Sequence, residues 1–382
     1  MTELVSPEVL RQVKGWARYV EAKLGFRNHW YPIRFAHEVL EQTPVPIKLL
    51  GEKILLNRID GKVYAIKDRC LHRGVAFSDK LECLTKDTIT CWYHGWTYRW
   101  DTGKLVDILS NPQSIQIGRH NVRSYPVQEV KGIVFVYVGD REPTDLSEDV
   151  PPGFLDADRT VFGLHREVAS NWRMAAENGF DAGHAFLHKD SILLKGNDIA
   201  LPLGFAPGSS AQLTRSEIEP GRPKGVFDLL GEHSVPVFEG TIEGEVKIRG
   251  NMGSKRVIEN VSMWLPCVLR VEPFPNPGLT QYEVVRARLT RTIHLYFQTI
   301  GKLCPTEAET DEFKQEFDEK WVSMALHGFN DDDVMARVST QRFYQDDRGW
   351  INEILYEPDK AIIEWRRLAS EHNRGIQSRE HL

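Results

Sequence analysis

Two short stretches decide the fold, Cys70-Leu71-His72-Arg73-Gly74 and Cys91-Trp92-Tyr93-His94-Gly95-Trp96. Each offers one thiol and one imidazole, as C-x-H in the first and C-x-x-H in the second. Both lie next to turn signals in a segment rich in β-branched and aromatic residues. Two such turns can face each other and close on one metal centre. Zinc accepts two cysteines and two histidines, but usually takes like ligands from the same turn. A [2Fe–2S] centre with two thiolates on one iron and two imidazoles on the other needs one of each from both loops. The spacing therefore favours the iron–sulfur centre, with structural zinc as the alternative. Cys83, between the loops, reads as a small filler and not as a ligand.

Outward from the loops, the pattern is that of short strands. Stretches 47–51 (IKLLG), 53–59 (KILLNRI), 62–68 (KVYAIKD), 88–100 (TITCWYHGWTYRW), 104–109 (KLVDIL) and 132–140 (GIVFVYVGD) are separated by turns at Asp60-Gly61, Asp101-Thr102-Gly103 and Lys131-Gly132. They predict a compact all-β domain over 30–142 that carries a Rieske-type [2Fe–2S] centre. Before it, residues 1–29 predict a helix packed on the body. Ser6 caps it, Pro7 suits its first turn and Gly25 ends it. Val9, Val13, Trp16, Val20 and Leu24 form its apolar face. Arg11, Lys14 and Arg18 lie on another face, read first as a solvated surface.

The acidic, proline-bearing stretch 141–158 reads as a linker. A larger domain follows over 143–382. A helix is expected at Asn171–His188, then a Gly/Pro-rich excursion containing LPLGFAPGSS and EPGRPKG. Strands follow over roughly 226–300, and helices at Glu307–His327, Asp331–Tyr344 and Pro358–Glu371. Phe313, Phe317, Trp321 and Met324 form a stripe expected to be core packing. The fold class is thus α+β.

Composition bounds the function. The chain has 382 residues, 41% hydrophobic and 27% charged, which excludes disorder as its main state. Ten tryptophans and seventeen phenylalanines are ample for two cores. A net charge of −6 gives no reason to expect nucleic acid or an anionic membrane as partner. No long apolar run and no secretory h-region is visible, so a cytoplasmic protein is expected. Five cysteines in so long a chain do not make a disulfide scaffold.

A second constellation lies at Glu177-Asn178-Gly179-Phe180-Asp181-Ala182-Gly183-His184-Ala185-Phe186-Leu187-His188. On a helix, His184 and His188 share one face, which suits a divalent transition metal. No Glu follows His184, so the zinc-protease pattern fails. Alone, such a pair is more often surface or packing. An electron-transfer centre upstream changes that, because its electrons need an acceptor, and iron is the natural one. Asp181, three residues before His184, is either a solvated carboxylate or an acceptor that orients an imidazole. A non-haem iron site also needs a carboxylate. Asp331, Asp332 and Asp333 open a predicted helix, where at least two of them are expected simply to favour the helix dipole.

These motifs resemble Rieske non-haem iron ring-hydroxylating oxygenases. Further segments, GFRNHWYP (25–32), KDRC (67–70), ITCWYH (89–94), ENGFD (177–181), HKDSIL (188–193), IALPLGFAPG (199–208), VPVFEGTI (235–242) and PFPNP (273–277), carry the resemblance over nearly the whole chain. They are most similar to the branch that attacks carbazole at its angular position. The spacer between the two loops is slightly longer than is usual there.

The resemblance implies a helix-grip catalytic domain with an antiparallel sheet and flanking helices. It implies a [2Fe–2S] Rieske cluster on Cys70, His72, Cys91 and His94, and mononuclear Fe(II) on His184, His188 and Asp333, with Asp332 as second choice. Asp181 would bridge His94 of a neighbouring subunit to His184. A homotrimer is implied, fed by a ferredoxin and its reductase and consuming O2. The implied reaction is angular dioxygenation of carbazole to 2′-aminobiphenyl-2,3-diol, a step of aromatic hydrocarbon catabolism. Dibenzofuran, dibenzo-p-dioxin or fluorene are alternative substrates. The planar substrate would meet Gly179, Phe180, Val261, Phe274, Gln281 and Phe329. Arg11, Lys14, Arg18 and Arg119 become candidates for steering an acidic ferredoxin. The competing functions are a Rieske monooxygenase or demethylase and, outside enzymes, a Rieske electron carrier.

Overall fold

In the computed structural model the described residues are 4–197, 199–200, 212–215, 225–230, 237–242, 246–251, 255–256, 259–287, 292–356 and 359–382. Most of the Gly/Pro-rich excursion after residue 200 lies outside them. The chain divides into two compact units. One holds Phe26–Thr144 together with Gln377–Leu382; the other holds the residues up to Gly25 and most of 145–376. The expected boundary thus differs at the C-terminus. Gln377 accepts from Arg27 Nη1 at 2.5 Å, and Lys67 Nζ donates to the Leu382 carbonyl at 2.7 Å, which ties the last residues to the β-rich unit.

That unit is built from three small antiparallel sheets. His29–Phe35, Ile133–Val138 and Val127–Val130 form the first; Val45–Leu49, Glu52–Ile59, Lys62–Lys67 and Ser124–Tyr125 the second. The third is Thr88–Thr90, Trp96–Arg99 and Leu105–Ile108. Predicted strand 88–100 is therefore two strands, and the second metal loop is the connection between them. A core of Leu55, Ile66, Phe77, Ile89, Tyr98, Trp100 and Leu105 packs directly against Cys70 and Cys91. Both loops are thus anchored by buried apolar side chains.

In the other unit a seven-stranded antiparallel sheet runs in the order Arg159–Val168, His294–Leu303, Leu279–Ala287, Val268–Glu272, Glu259–Trp264, Gly225–Leu230, Gln212–Arg215. Within the stretch 226–300, where strands are expected, Glu259–Trp264 and Val268–Glu272 form a hairpin turned at Leu265-Pro266-Cys267, since proline cannot donate to a ladder. The N-terminal helix also differs from expectation. Ser6 Oγ caps it, but it is interrupted after Gln12 and ends at Glu21. Its apolar side is buried at Val9, Val13, Val20 and Leu24.

Helix Glu307–Glu316 opens on a capping box, in which Glu309 N donates to Thr306 Oγ1 and Thr306 N to Glu309 Oε2. It continues as the wider-wound Phe317–His327. Phe313, Phe317 and Trp321 are buried with Leu193, Phe274, Ile300 and Phe329, as core. Each phenylalanine contributes about 2 kcal/mol by burial. This core fixes the start of helix Asn330–Thr340 against the sheet. Among the described residues no helix is long and apolar enough to cross a membrane.

Candidate metal centres

The two cysteine–histidine loops share one local geometry. Cys70 O accepts from Gly74 N, and Cys91 O from Gly95 N, both at 2.9 Å. Cys70 N donates to Val75 O and Cys91 N to Trp96 O. Each loop thus closes on its cysteine and throws its histidine forward. The closing glycines have φ of +74° and +69°, a region that a side chain disfavours. A Cβ on Gly95 would also meet Leu109 Cβ at 2.8 Å.

The donor set is polarised. Both thiols are buried, whereas His72 is exposed and His94 partly so. The two imidazole centroids are 4.5 Å apart, and Trp96 stacks on His72 at 5.1 Å. Burial raises the Cys70 pKa, and the neighbouring Cys91 thiol adds to the rise. The Cys70 thiol thus ionises poorly unless a metal takes the place of its proton, and with Cys91 buried beside it the donor set fits a cluster. Tyr98 was not anticipated from the sequence. Its hydroxyl lies 3.5 Å from Cys70 Sγ and accepts from Leu71 N at 3.4 Å, which leaves its proton for the sulfur. A tyrosine on an alternating strand shows only that it points inward.

The second site is assembled from two helical segments. The predicted helix Asn171–His188 is interrupted. An α-helix, capped by Asn171, covers Trp172–Phe180, and Asp181 then starts tighter 3-10 turns over Ala182–Asp190. Asp181 has extended backbone angles and its carboxylate accepts from Gly183 N at 2.7 Å, so it ends one helix and caps the next. The shared face expected from α-helical spacing is therefore not what joins the histidines; the tighter winding and Asp333 do that. Asp181 does contact His184, but through its backbone carbonyl, which meets His184 Nδ1.

Asp333 Oδ1 lies 3.4 Å from His184 Nε2 and 3.3 Å from His188 Nε2. One ligand atom from each of these residues falls within 4.8 Å of the others. Asp332 Oδ2 is 3.4 Å from the other nitrogen of His188, Nδ1, while Asp331 turns outward to Arg166. The three successive acids thus separate. Burial would raise the Asp333 pKa, but His188, His184 and Arg337 outweigh it and hold the carboxyl far below its usual range. Both ring nitrogens of His188 and Asp333 Oδ1 are buried with no hydrogen-bond partner. Buried polar atoms are rarely left so. Three inward-facing donors of type N, N, O fit a divalent transition metal.

Of the expected substrate residues, Phe329 stacks on His188 at 3.7 Å, and Phe274 packs against Phe329 at 5.0 Å. Phe180, Val261 and Gln281 are buried as well. Gln281 Nε2 is engaged by Glu283 Oε1 at 2.5 Å. Gly179 faces Leu269, whose Cδ2 would lie 2.7 Å from a Cβ there. Arg11, Lys14 and Arg18 are exposed on one unit and Arg119 on the other.

A domain with this pair of loops, joined in one chain to a sheet-and-helix unit with a two-histidine, one-carboxylate site, defines the class of Rieske ring hydroxylases. Residues 29–126 match the Rieske [2Fe-2S] domain and residues 137–377 the homotrimeric ring hydroxylase family. The terminal oxygenase component of carbazole 1,9a-dioxygenase from a Sphingomonas species is 67% identical over 96% of this chain and 97% of its own length. The solved terminal oxygenase of carbazole 1,9a-dioxygenase from Novosphingobium sp. KA1 superposes with a TM-score of 0.91 and 62% identity, covering 98% of this chain and 100% of that one. A solved reduced complex between oxygenase and ferredoxin in carbazole 1,9a-dioxygenase gives a TM-score of 0.93 at 55% identity, covering 100% of this chain and 98% of that one. The chain belongs to the terminal-oxygenase family of carbazole 1,9a-dioxygenases.

Proposed function

We propose that this chain catalyses the angular dioxygenation of carbazole, as a homotrimer supplied with electrons by a ferredoxin and its reductase. The observation that carries this reading is the convergence of His184, His188 and Asp333 on one point. An electron carrier would need only the four cluster ligands. When bound, a [2Fe–2S] cluster passes single electrons and a ferrous ion activates O2, so that carbazole, O2, two electrons and two protons yield a hemiaminal that opens to 2′-aminobiphenyl-2,3-diol.

The chain's residues have separable tasks. Cys70 and Cys91 would hold a cluster through buried thiolates, and His72 and His94 through the more exposed imidazoles. His184 and His188 would offer two nitrogen donors to a divalent metal and Asp333 one carboxylate oxygen, the donor set of an iron that activates O2. Asp332 Oδ2 lies 3.4 Å from His188 Nδ1, on the side of the ring away from Asp333. Phe329, Phe274, Phe180 and Val261 make an apolar surround that excludes water and suits a planar aromatic. The Gly179 carbonyl would accept the carbazole N–H, with Gln281 as a second polar anchor. Asp181, whose backbone carbonyl meets His184 Nδ1, would link that ring through its carboxylate to His94 of a neighbouring copy.

The test is turnover under 18O2 with ferredoxin, reductase and carbazole. Mass spectrometry should find two labelled oxygens in 2′-aminobiphenyl-2,3-diol, and iron analysis about three irons per chain. One labelled oxygen would make the protein a monooxygenase, and two irons without product would make it a carrier.

Ferredoxin docking is assigned to the exposed Arg11, Lys14, Arg18 and Arg119. Lys14→Glu should raise the ferredoxin KM roughly several-fold at low salt, and less at moderate salt, because charge steering is screened. An unchanged KM at both salts removes Lys14 from the docking surface.

A further inference from the structure

Directly behind the carboxylate of the triad lies a group of buried charges that none of the preceding roles uses. Arg337 follows Asp333 by four residues on helix Asn330–Thr340, hence on the same face. Its side chain is 0% exposed. Its Nε donates to Asn178 Oδ1 at 2.5 Å and its Nη2 to Glu283 Oε2 at 3.4 Å, while its guanidinium lies over the Tyr296 ring at 4.3 Å. Glu283, in the interior strand Leu279–Ala287, is as heavily engaged. Its Oε1 accepts from Gln281 Nε2 at 2.5 Å and from Asn330 Nδ2 at 2.9 Å. Three donors thus hold one buried carboxylate in place.

The contrast with Asp333 is the informative point. Asp333 is equally buried and one helical turn from the same guanidinium, yet its Oδ1 has no hydrogen-bond donor and faces the two histidines. A buried arginine without a counter-charge is costly and takes the nearest acid. Here the acid it takes is Glu283.

We propose that Glu283 is a positioning residue for the metal site: by engaging Arg337 it keeps the guanidinium off Asp333, so that the Asp333 oxygen stays available to the metal. The proposal rests on the reading of His184, His188 and Asp333 as a metal site. Removing the Glu283 charge leaves Asp333, one helical turn away, as the remaining acid beside Arg337 among the described residues. The arginine then competes with the cation for the oxygen and repels it as well.

The test uses the full chain with its cluster intact and the second site emptied by a chelator. Co(II) is titrated by equilibrium dialysis, with EPR of the bound ion; the oxidised cluster is EPR-silent. E283Q, which keeps shape and removes charge, should weaken Co(II) binding by about tenfold or more. Adding R337Q to it should bring affinity back to within about threefold of wild type, since the competing cation is gone. E283D should lie close to wild type.

A pair that only holds the fold together would give the opposite order, with the double variant as weak as E283Q or weaker. That result, or E283Q binding within about threefold of wild type, overturns the proposal. If E283Q fails to fold, the double variant alone decides: near-normal affinity supports the proposal and a tenfold loss, about 1.4 kcal/mol, overturns it. D333A separates the two levels of inference. If D333A binds Co(II) as wild type does, with the same EPR, it is the metal-site reading that fails.

Discussion

Asp333→Ala is expected to abolish iron binding at the second site and to leave the Rieske spectrum untouched. The two proposed ligand sets are separate: Cys70, His72, Cys91 and His94 come from two β-turns, and His184, His188 and Asp333 from two helical segments. Asp333 supplies the only negative charge in its triad and sits against both histidine Nε2 atoms. Without it, the two imidazoles alone would hold a divalent cation weakly. The same substitution removes a carboxyl whose pKa is held low, and with it part of what makes the site attractive to cations. Loss of a metal that stabilises developing charge by several kcal/mol corresponds to a fall in turnover of roughly a thousandfold or more. Iron should drop from about three to about two per chain, with the visible spectrum and its reduction by ferredoxin retained. His184→Ala should behave in the same way. If the visible spectrum vanished with the mononuclear iron, the division into two sites would be wrong.

Which parts of this arrangement a sequence can disclose depends on how local they are. The cluster ligands lie within three residues of each other in each loop, and the turns that present them carry glycines whose positive φ requires no distant partner. They are legible for that reason. His184 and His188 are legible as a pair, but their geometry is not. Asp181 interrupts the helix, and only the folded chain brings the two rings to a common point. The third ligand comes from far along the chain. Successive residues on a helix turn by about 100°, so three adjacent acids must face three ways. The fold sends Asp331 out to Arg166, sets Asp332 beside His188 Nδ1 and buries Asp333. A run of three identical letters cannot make that distinction; the resemblance to a family did. Glu283 shows the opposite limit. Every residue of strand Leu279–Ala287 is buried, so the strand has no alternating pattern in which a glutamate would stand out. Its partner Arg337 reads as an ordinary helix-surface arginine until α-helix and sheet are packed together. Tyr98 is hidden in the same way, since its significance is the 3.5 Å to a sulfur.

Asp181→Asn is expected to retain both metal sites and the fold while slowing turnover on the order of 100-fold, as replacements of the groups that orient metal-bound histidines do. The geometry makes this substitution selective. The Asp181 carboxylate accepts from Gly183 N through Oδ1, and an asparagine oxygen can accept the same bond, so the start of the Ala182–Asp190 segment survives. The contact with His184 Nδ1 is made by the backbone carbonyl and is unaffected by the side chain. What asparagine removes is the negative charge and one acceptor, at a residue that is only partly buried and thus open to a second protein surface. If that carboxylate accepts from His94 of a neighbouring copy, its loss breaks the link between the accessible edge of one cluster and the imidazole of the next iron. The diagnostic is kinetic. Ferredoxin should still reduce the cluster at the wild-type rate, whereas reoxidation of the reduced cluster on mixing with O2 and carbazole, followed by stopped-flow absorbance, should be slow. Iron content should stay at about three per chain, which separates this variant from Asp333→Ala. Wild-type reoxidation in Asp181→Asn would mean that electrons cross without the carboxylate, and the bridge would have to be sought in another residue.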